Sequence, residues 1–116
     1  DKDVVLFDRF YDASMAYQGF GRGLPQEIIK SLISFTKCPV PDATFLLDIE
    51  VEEGFKRKFN DKKDRIESSG DVFFEQVRSG YLELSKNEPN RIKVLDAKKS
   101  INDLHKDIVS FVEIIL

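Results

Sequence analysis

VVLFDRFYDASMAYQGFGRG, residues 4–23, is the stretch that decides the fold. Its four apolar residues, 4–7, predict a buried strand, and a short helix is predicted over residues 12–18 before the glycines interrupt it. Asp8 and Arg9 directly follow the predicted strand. Open α/β sheets bind ligands at the carboxyl ends of their strands, and a guanidinium there can contact phosphate oxygens in bidentate fashion. The stretch therefore predicts an α/β fold with a site for a phosphate-bearing ligand.

Two more apolar runs, residues 44–47 and 92–95, also predict strands, and helical patterns separate all three. Strands that alternate with helices pair in parallel through crossover connections. Each run is followed at once by an aspartate: Asp8, Asp48 and Asp96. An aspartate in this place often only starts a turn or caps a helix, and we favour that interpretation for Asp48. For Asp8, which has Arg9 beside it, we favour a function.

Four further helices and one loop complete the predicted order. The helices span residues 24–35, 51–58, 71–87 and 101–116, and Ser100 with Asp103 predicts a cap for the last of them. The longest helix carries an apolar stripe: Phe73, Phe74, Val77, Tyr81 and Leu84. Residues 59–70 are rich in charge and poor in apolar anchors, which predicts a mobile loop.

Length and composition limit the classes of function. A chain of 116 residues fits one domain, and its 41% hydrophobic and 34% charged residues are typical of a globular protein. The net charge of −3 argues against a protein that mainly binds nucleic acid. Cys38 is the only cysteine, so a reducing cytoplasmic setting is expected, and Cys38 is interpreted as inert. No apolar run approaches a membrane span, no signal peptide is predicted, and the opening without Met is expected of a trimmed or partial chain.

A longer motif carries a family resemblance. Its parts are Asp8-Arg9-Phe10, Ser14, Ala16-Tyr17-Gln18-Gly19 and Gly21-Arg22-Gly23. This order resembles the DR(Y/F)…S-x-AYQG-x-GRG segment of bacterial thymidylate kinases. The likeness continues through Pro41-Asp42-Ala43-Thr44, Leu46-Leu47-Asp48, Asp64-Arg65-Ile66-Glu67 and Asp96-Ala97. The chain contains no G-x-x-x-x-G-K-[ST] loop for donor phosphates, so we interpret it as the C-terminal part of such a kinase.

The resemblance implies a fold and a reaction. The fold would be the three-layer αβα arrangement of P-loop NTPases, with a parallel sheet of which this chain supplies three of five strands. Residues 1–116 would form part of one domain, with a flexible lid at about residues 57–70. The enzyme would phosphorylate dTMP to dTDP with ATP and Mg²⁺, on the route to dTTP. It would form a homodimer and would need the N-terminal P-loop segment, without which this chain alone would be inactive.

The resemblance also implies roles for the acceptor side. The Arg9 position would hold the phosphate of dTMP, and Asp8 would contact the metal indirectly, through water. Ser14 and Gln18 would face the base, and Tyr17 would leave no room for a 2′-hydroxyl. Glu67 would lie near the acceptor sugar. Without the resemblance, a core tyrosine and two surface polar residues would be the better interpretation of Tyr17, Ser14 and Gln18.

On the donor side, the resemblance assigns the basic loop and one turn. Arg57 would stack on adenine, Lys63 and Arg65 would approach the transferring phosphoryl group, and Ala97 would leave space for the base. Which of the loop cations would stabilise the transition state stays open. Basic runs of this kind are more often solvated surface. Asp8, Arg9 and Arg65 are therefore the predicted catalytic residues.

Two alternatives remain at this point. A related deoxynucleoside or nucleotide kinase would share most of the motif but accept another base. An inactive fragment or binding module would follow if the 116 residues were the whole molecule, because the missing strand would leave unpaired backbone groups and exposed apolar faces.

Overall fold

The computed structural model describes the backbone of residues 3–59 and 66–116, and the side chains of these residues except 58, 59 and 66–71. Its helices and strands, in chain order, are α1 (Tyr11–Ser14), a π-helical segment (Met15–Gly21), α2 (Gln26–Phe35), β1 (Thr44–Asp48), α3 (Val51–Phe59), α4 (Ile66–Asn87), β2 (Ile92–Asp96) and α5 (Ile101–Ile115). The π segment continues directly from α1. The Arg22 amide donates to the Tyr17 carbonyl oxygen at 3.0 Å, a bond that spans five residues.

β1 and β2 form a parallel pair. Their register runs from Thr44 opposite Ile92 to Asp48 opposite Asp96. The chain between them contains α3 and α4, as a crossover between parallel strands requires. The prediction of an α/β protein with a parallel sheet is confirmed.

Residues 4–7 do not form the strand that their composition predicts. Among the described residues the sheet contains only β1 and β2, and no strand lies beside this run. The four side chains are 56%, 70%, 88% and 57% exposed. A strand is stable only when its N–H and C=O groups find a ladder partner, and apolar composition cannot replace one. The prediction of three strands is therefore wrong for this structure.

The core lies on one face of the sheet. Met15 of the π segment, Ile29 of α2, Leu84 of α4 and Ile92 of β2 are all buried there. Phe45 of β1 points to the opposite face, where its ring lies 6.1 Å from that of Phe111 in α5. Helices thus pack on both faces of the two-stranded sheet, in agreement with the expected layers.

Two helix boundaries differ in how well they were predicted. Ser100 Oγ accepts a hydrogen bond from the Asp103 amide at 3.1 Å, so α5 begins with the predicted cap. By contrast, α4 begins at Ile66, inside the run predicted to be a loop. Charge alone did not exclude a helix, because Glu and other long polar residues are good helix formers. The middle of the predicted loop, residues 60–65, lies outside the described residues.

A buried ion pair ties α1 to the sheet. Arg91, which directly precedes β2, donates to Asp12 Oδ2 at 2.8 Å and to Asp12 Oδ1 at 3.0 Å. It also donates to Thr44 Oγ1 at 3.1 Å and to Glu88 Oε2. The hydrogen bond to Asp12 is the main reason why the pKa of Arg91 is raised.

In the part of the chain that the structure describes, no helix has the length and the apolar character that crossing a bilayer demands.

Candidate functional site

Arg9 occupies a strained position between the extended chain and α1. Its backbone φ is 61°, in the left-handed region. For a residue with a Cβ atom this region costs roughly 1–2 kcal/mol, and such strain is concentrated at functional sites. The Arg9 guanidinium carbon lies 4.6 Å from the centroid of the Tyr17 ring. The structure thus brings together two residues that the motif singled out.

Tyr17 connects Arg9 to α4. The Tyr17 ring is 6.2 Å from that of Tyr81, at an interplanar angle of 84°, and 6.1 Å from that of Phe73. Both partners lie on α4. Aromatic pairs at such distances and angles attract one another beyond the area that they bury. The platform under the Arg9 guanidinium is therefore anchored on the longest helix.

Ser14 and Gln18 lie beside this platform with exposed side chains. Ser14 ends α1, and Gln18 belongs to the π segment, four residues further on. A glutamine amide offers one acceptor oxygen and two N–H donors, which can pair with the edge of a base. Both side chains are accessible to a ligand, and their contact with a base stays a prediction.

Asp8 is exposed next to Arg9. Among the described residues, no group of three or more His, Cys, Asp or Glu side chains could form a metal cage. Mg²⁺ does not require a cage, because it keeps several waters and usually binds through one or two carboxylates plus substrate phosphates. A single accessible carboxylate beside a guanidinium, a group that can bind phosphate, fits that donor set.

Two of the residues predicted for the donor side, Arg57 and Ala97, are in contact with each other. Arg57 Nη1 of α3 donates to the Ala97 carbonyl oxygen at 3.0 Å, and the Ala97 amide donates to the Asp48 carbonyl oxygen at 2.9 Å. Arg57 Nε also lies 3.9 Å from Glu53 Oε1 of the same helix, in an exposed ion pair. Two residues that are 40 positions apart are thus in contact. A planar cation beside the turn after β2 could stack on a flat base.

The aspartates after β1 and β2 have structural roles. Asp48 accepts two hydrogen bonds from Arg78 of α4, at 2.9 and 3.1 Å. It is neither a helix cap nor a turn former, but the preference for a structural role agrees with this ion pair. Asp96 Oδ1 accepts from the Lys98 amide at 2.9 Å and so stabilises its own turn. Asp8 and Asp96 are exposed, whereas Asp48 is partly buried.

Three predicted residues are not assessed by the structure. Lys63 and Arg65 lie outside the described residues. Glu67 lies in the first turn of α4, and only its backbone is described.

Sequence reasoning did not assign Tyr81 to the site. It placed Tyr81 on the buried stripe of α4, between Val77 and Leu84, which are indeed buried. Tyr81 itself is only half-buried, and burial raises the pKa of its hydroxyl. A hydroxyl on an otherwise apolar stripe was the available signal. A second cation of the motif, Arg22, lies 5.4 Å from the centroid of the Phe73 ring.

Comparisons with known proteins agree with this geometry. A family model described as "Thymidylate kinase" matches residues 1–108. The thymidylate kinase of Chlorobaculum tepidum is 40% identical over 97% of this chain and 58% of its own length. That of Chlorobium phaeobacteroides is 43% identical over 91% of this chain and 53% of its own length. The chain spans about half the length of these curated relatives.

The fold also has a match among solved structures. The crystal structure of thymidylate kinase from Ehrlichia chaffeensis superposes with a TM-score of 0.66 at 27% sequence identity. The match covers 91% of this chain and 47% of the solved one.

Proposed function

The chain belongs to the thymidylate kinase family, and from that premise we propose that the protein containing it transfers the γ-phosphoryl group of ATP to dTMP. The observation that carries the proposal is the Arg9 guanidinium over the Tyr17 ring, inside the motif that the family shares. Arg9 holds the acceptor phosphate. Ser14 and Gln18 contact the thymine, and Tyr17 lies against the deoxyribose.

The chemistry asks little of a general base, because the acceptor is already an anion. Phosphoryl transfer depends mainly on position and on charge neutralisation. Arg9 meets both needs on the acceptor side, since a guanidinium binds phosphate through two parallel N–H donors. Mg²⁺, when bound, neutralises charge on the donor phosphates. Asp8 would hold that ion through water.

We assign the donor side to α3 and the turn after β2. Arg57 stacks on adenine beside the Ala97 carbonyl, where the hydrogen bond between them supports the position of the guanidinium. Lys63 and Arg65 approach the transferring group, and Glu67 lies near the acceptor sugar. The P-loop comes from a segment outside these 116 residues, which accords with the half-length match to the relatives.

Turnover by the full-length protein tests this proposal. ADP release is measured with dTMP, dUMP and thymidine as acceptors, and dTMP is expected to be preferred. In Arg9→Ala, KM for dTMP is expected to rise about thirtyfold, since a charged bidentate contact contributes about 2 kcal/mol. Arg9→Lys, which keeps the charge but not the fork, is expected to fall between the two. A preference for thymidine would refute the proposal.

The family resemblance also supports a homodimer, and α2 supplies a surface for it. Ile28, Leu32 and Phe35 lie on this helix and are 53%, 61% and 85% exposed. Leu32→Glu is expected to yield monomers in light scattering after size-exclusion chromatography. Ser34→Glu on the same helix adds the same charge at an exposed polar position and is expected to stay dimeric. Unchanged mass in both variants would exclude this face.

A further inference from the structure

We propose that Tyr81 of α4 is a positioning residue that directs the Arg9 guanidinium toward the acceptor phosphate. The proposal rests on the proposed function and deepens it. Tyr81 has no place in the motif that carries the family resemblance, and it lies 72 positions from Arg9 in the chain. Its role follows from its ring contact with Tyr17, from the contact between Tyr17 and Arg9, and from its location on α4.

The Arg9 guanidinium lies over the aromatic ring of Tyr17. Its guanidinium carbon lies 4.6 Å from the centroid of the Tyr17 ring. A guanidinium that contacts an aromatic face keeps its N–H donors, which lie in its plane, available for other partners. An exposed arginine would otherwise have to lose most of its side-chain freedom when phosphate binds. The orientation of the Tyr17 ring therefore determines where these donors point.

Tyr81 contacts the Tyr17 ring from α4. Tyr81 stands almost perpendicular to Tyr17, at 84°, with the ring centroids 6.2 Å apart. Val77 and Leu84, about one helical turn before and after Tyr81, are buried against the core. The face of α4 that carries Tyr81 is thus fixed against the core. Tyr17, which lies in the π segment, is positioned by a residue of the scaffold.

The charge state of the Tyr81 hydroxyl determines how it acts on Arg9. Burial raises the pKa of this hydroxyl, and the neighbouring Tyr17 and Asp12 raise it further, whereas Arg9 lowers it. The Tyr81 hydroxyl therefore stays neutral at physiological pH, yet it lies close enough to Arg9 to interact with it. A neutral oxygen can accept from a guanidinium without cancelling the positive charge that the phosphate requires. A carboxylate in this place would cancel that charge.

The experiment compares three tyrosine variants of the full-length protein. Tyr81→Phe removes the hydroxyl, and Tyr81→Leu removes the ring as well. Tyr11→Phe is the matched control, because Tyr11 is also partly buried with a raised pKa but lies near Arg91, at 5.6 Å, and not on the Arg9 platform. KM for dTMP, KM for ATP and kcat are measured for each variant.

Tyr81→Phe is expected to raise KM for dTMP about fivefold, the loss typical of one hydrogen bond, and Tyr81→Leu more. KM for ATP and kcat stay at wild-type values, and Tyr11→Phe changes none of the three. If Tyr81→Phe leaves KM for dTMP unchanged, or lowers kcat instead, the proposal is overturned. A wild-type protein that fails to phosphorylate dTMP would overturn the proposed function, which is a separate result.

A second readout does not depend on activity. The Nε–Hε NMR signal of Arg9 is assigned by its loss in Arg9→Lys. It is expected to shift in Tyr81→Phe and to stay in place in Tyr11→Phe. An unmoved signal in Tyr81→Phe would show that Tyr81 does not act on Arg9, whatever reaction the protein catalyses.

Discussion

Asp12 and Arg91 are the two charged side chains that are buried among the described residues. They are 79 positions apart and bond through both carboxylate oxygens. The Arg91 Nε atom has no hydrogen-bond partner within the described part of the protein. The position of α1, and with it that of Tyr17 and Gln18, therefore depends on an ion pair whose two charges are both removed from water.

Loss of one partner of this pair is expected to be severe. Arg91→Met leaves the Asp12 carboxylate buried without a counter-charge, which destabilises a protein by about 3–5 kcal/mol. Urea unfolding of the full-length protein measures the change. Lys99→Met is the control, since it removes an ion pair to Asp107 whose side chains are 51% and 37% exposed, and its effect is expected to stay below about 1 kcal/mol. Equal losses in both variants would contradict this view of Arg91.

Glu88 gives the stability a pH dependence. Its hydrogen bond from Arg91 lowers its pKa from the ordinary value of 4.5. A carboxyl group whose pKa is lower in the folded state stabilises the protein above its unfolded pKa, and this contribution is lost as the pH falls through the folded value. Stability is therefore expected to decline as the pH falls below 4.5.

The matched variant is Glu88→Gln, in which the decline is expected to be shallower, because the amide does not titrate. The free energy of unfolding is measured from pH 7 down to pH 3 for both proteins. Parallel curves for the two would show that Glu88 does not contribute to acid sensitivity.

Single residues differ in how far sequence predicts them. Arg9 and Tyr17 lie within one short motif, so their proximity could be expected from local spacing. Tyr81 could not be assigned, because an apolar stripe shows which face of a helix is buried and not what the face meets. The Asp12–Arg91 pair joins distant parts of the chain, and no periodicity signals such a contact.

Helices and strands are predictable where the pattern is local. β1, β2 and the cap of α5 follow from apolar runs and from Ser100. The run at residues 4–7 has equally strong composition but lacks a neighbour in the described sheet. The π segment was not predicted either, because a stretch of seven residues is too short to show an apolar period of its own.

Close packing between α4 and the π segment depends on small residues. A Cβ atom at Gly80 of α4 would lie 2.5–2.7 Å from three atoms of the Phe20 side chain, closer than contacts allow. Gly54 of α3 is different, since its nearest neighbour would be an Ile49 methyl carbon at an ordinary 3.6 Å. The two glycines lie in helices but have opposite surroundings.

Gly80→Ala is expected to destabilise the protein by about 1–3 kcal/mol, since the overpacked methyl group must displace the Phe20 ring. Gly54→Ala is expected to stabilise it by about 0.5–1 kcal/mol, the usual gain of helix propensity. Thermal and urea unfolding measure both variants. A gain in stability for Gly80→Ala would show that the π segment yields easily.

Two of the apolar surfaces that the described residues expose bear on the proposed assembly. One is the run at residues 4–7, and the other is the α2 face that contains Leu32. Surface of this kind usually marks an interface. In the proposed homodimer a second copy would cover the α2 face, and we infer that a strand from outside these 116 residues would cover the run at residues 4–7.

Hydrogen exchange in the full-length protein tests the first of these contacts. The amide of either Leu6 or Phe7 is expected to exchange as slowly as those of β1, because successive amides of a strand point to opposite sides and a neighbouring strand would bond one of the two. The Asp42 amide, in the exposed segment between α2 and β1, serves as the fast-exchanging reference. Leu6 and Phe7 amides that both exchange at the rate of Asp42 would exclude a partner strand.

Because of the π segment, the number of residues between Arg9 and Gly21 cannot change without disturbing the site. A π turn contains one more residue than an α turn, so removing a single residue would let the stretch relax into ordinary α-helix. Side chains within the segment would then point in new directions around the helix axis, because each residue of an α-helix turns by about 100° and each residue of the wider π turn by less. The Tyr17 ring would leave its place under Arg9, and Gly21 would no longer face Phe73. Homologues that keep the binding function are expected to vary in residue identity in this segment, but not in its length.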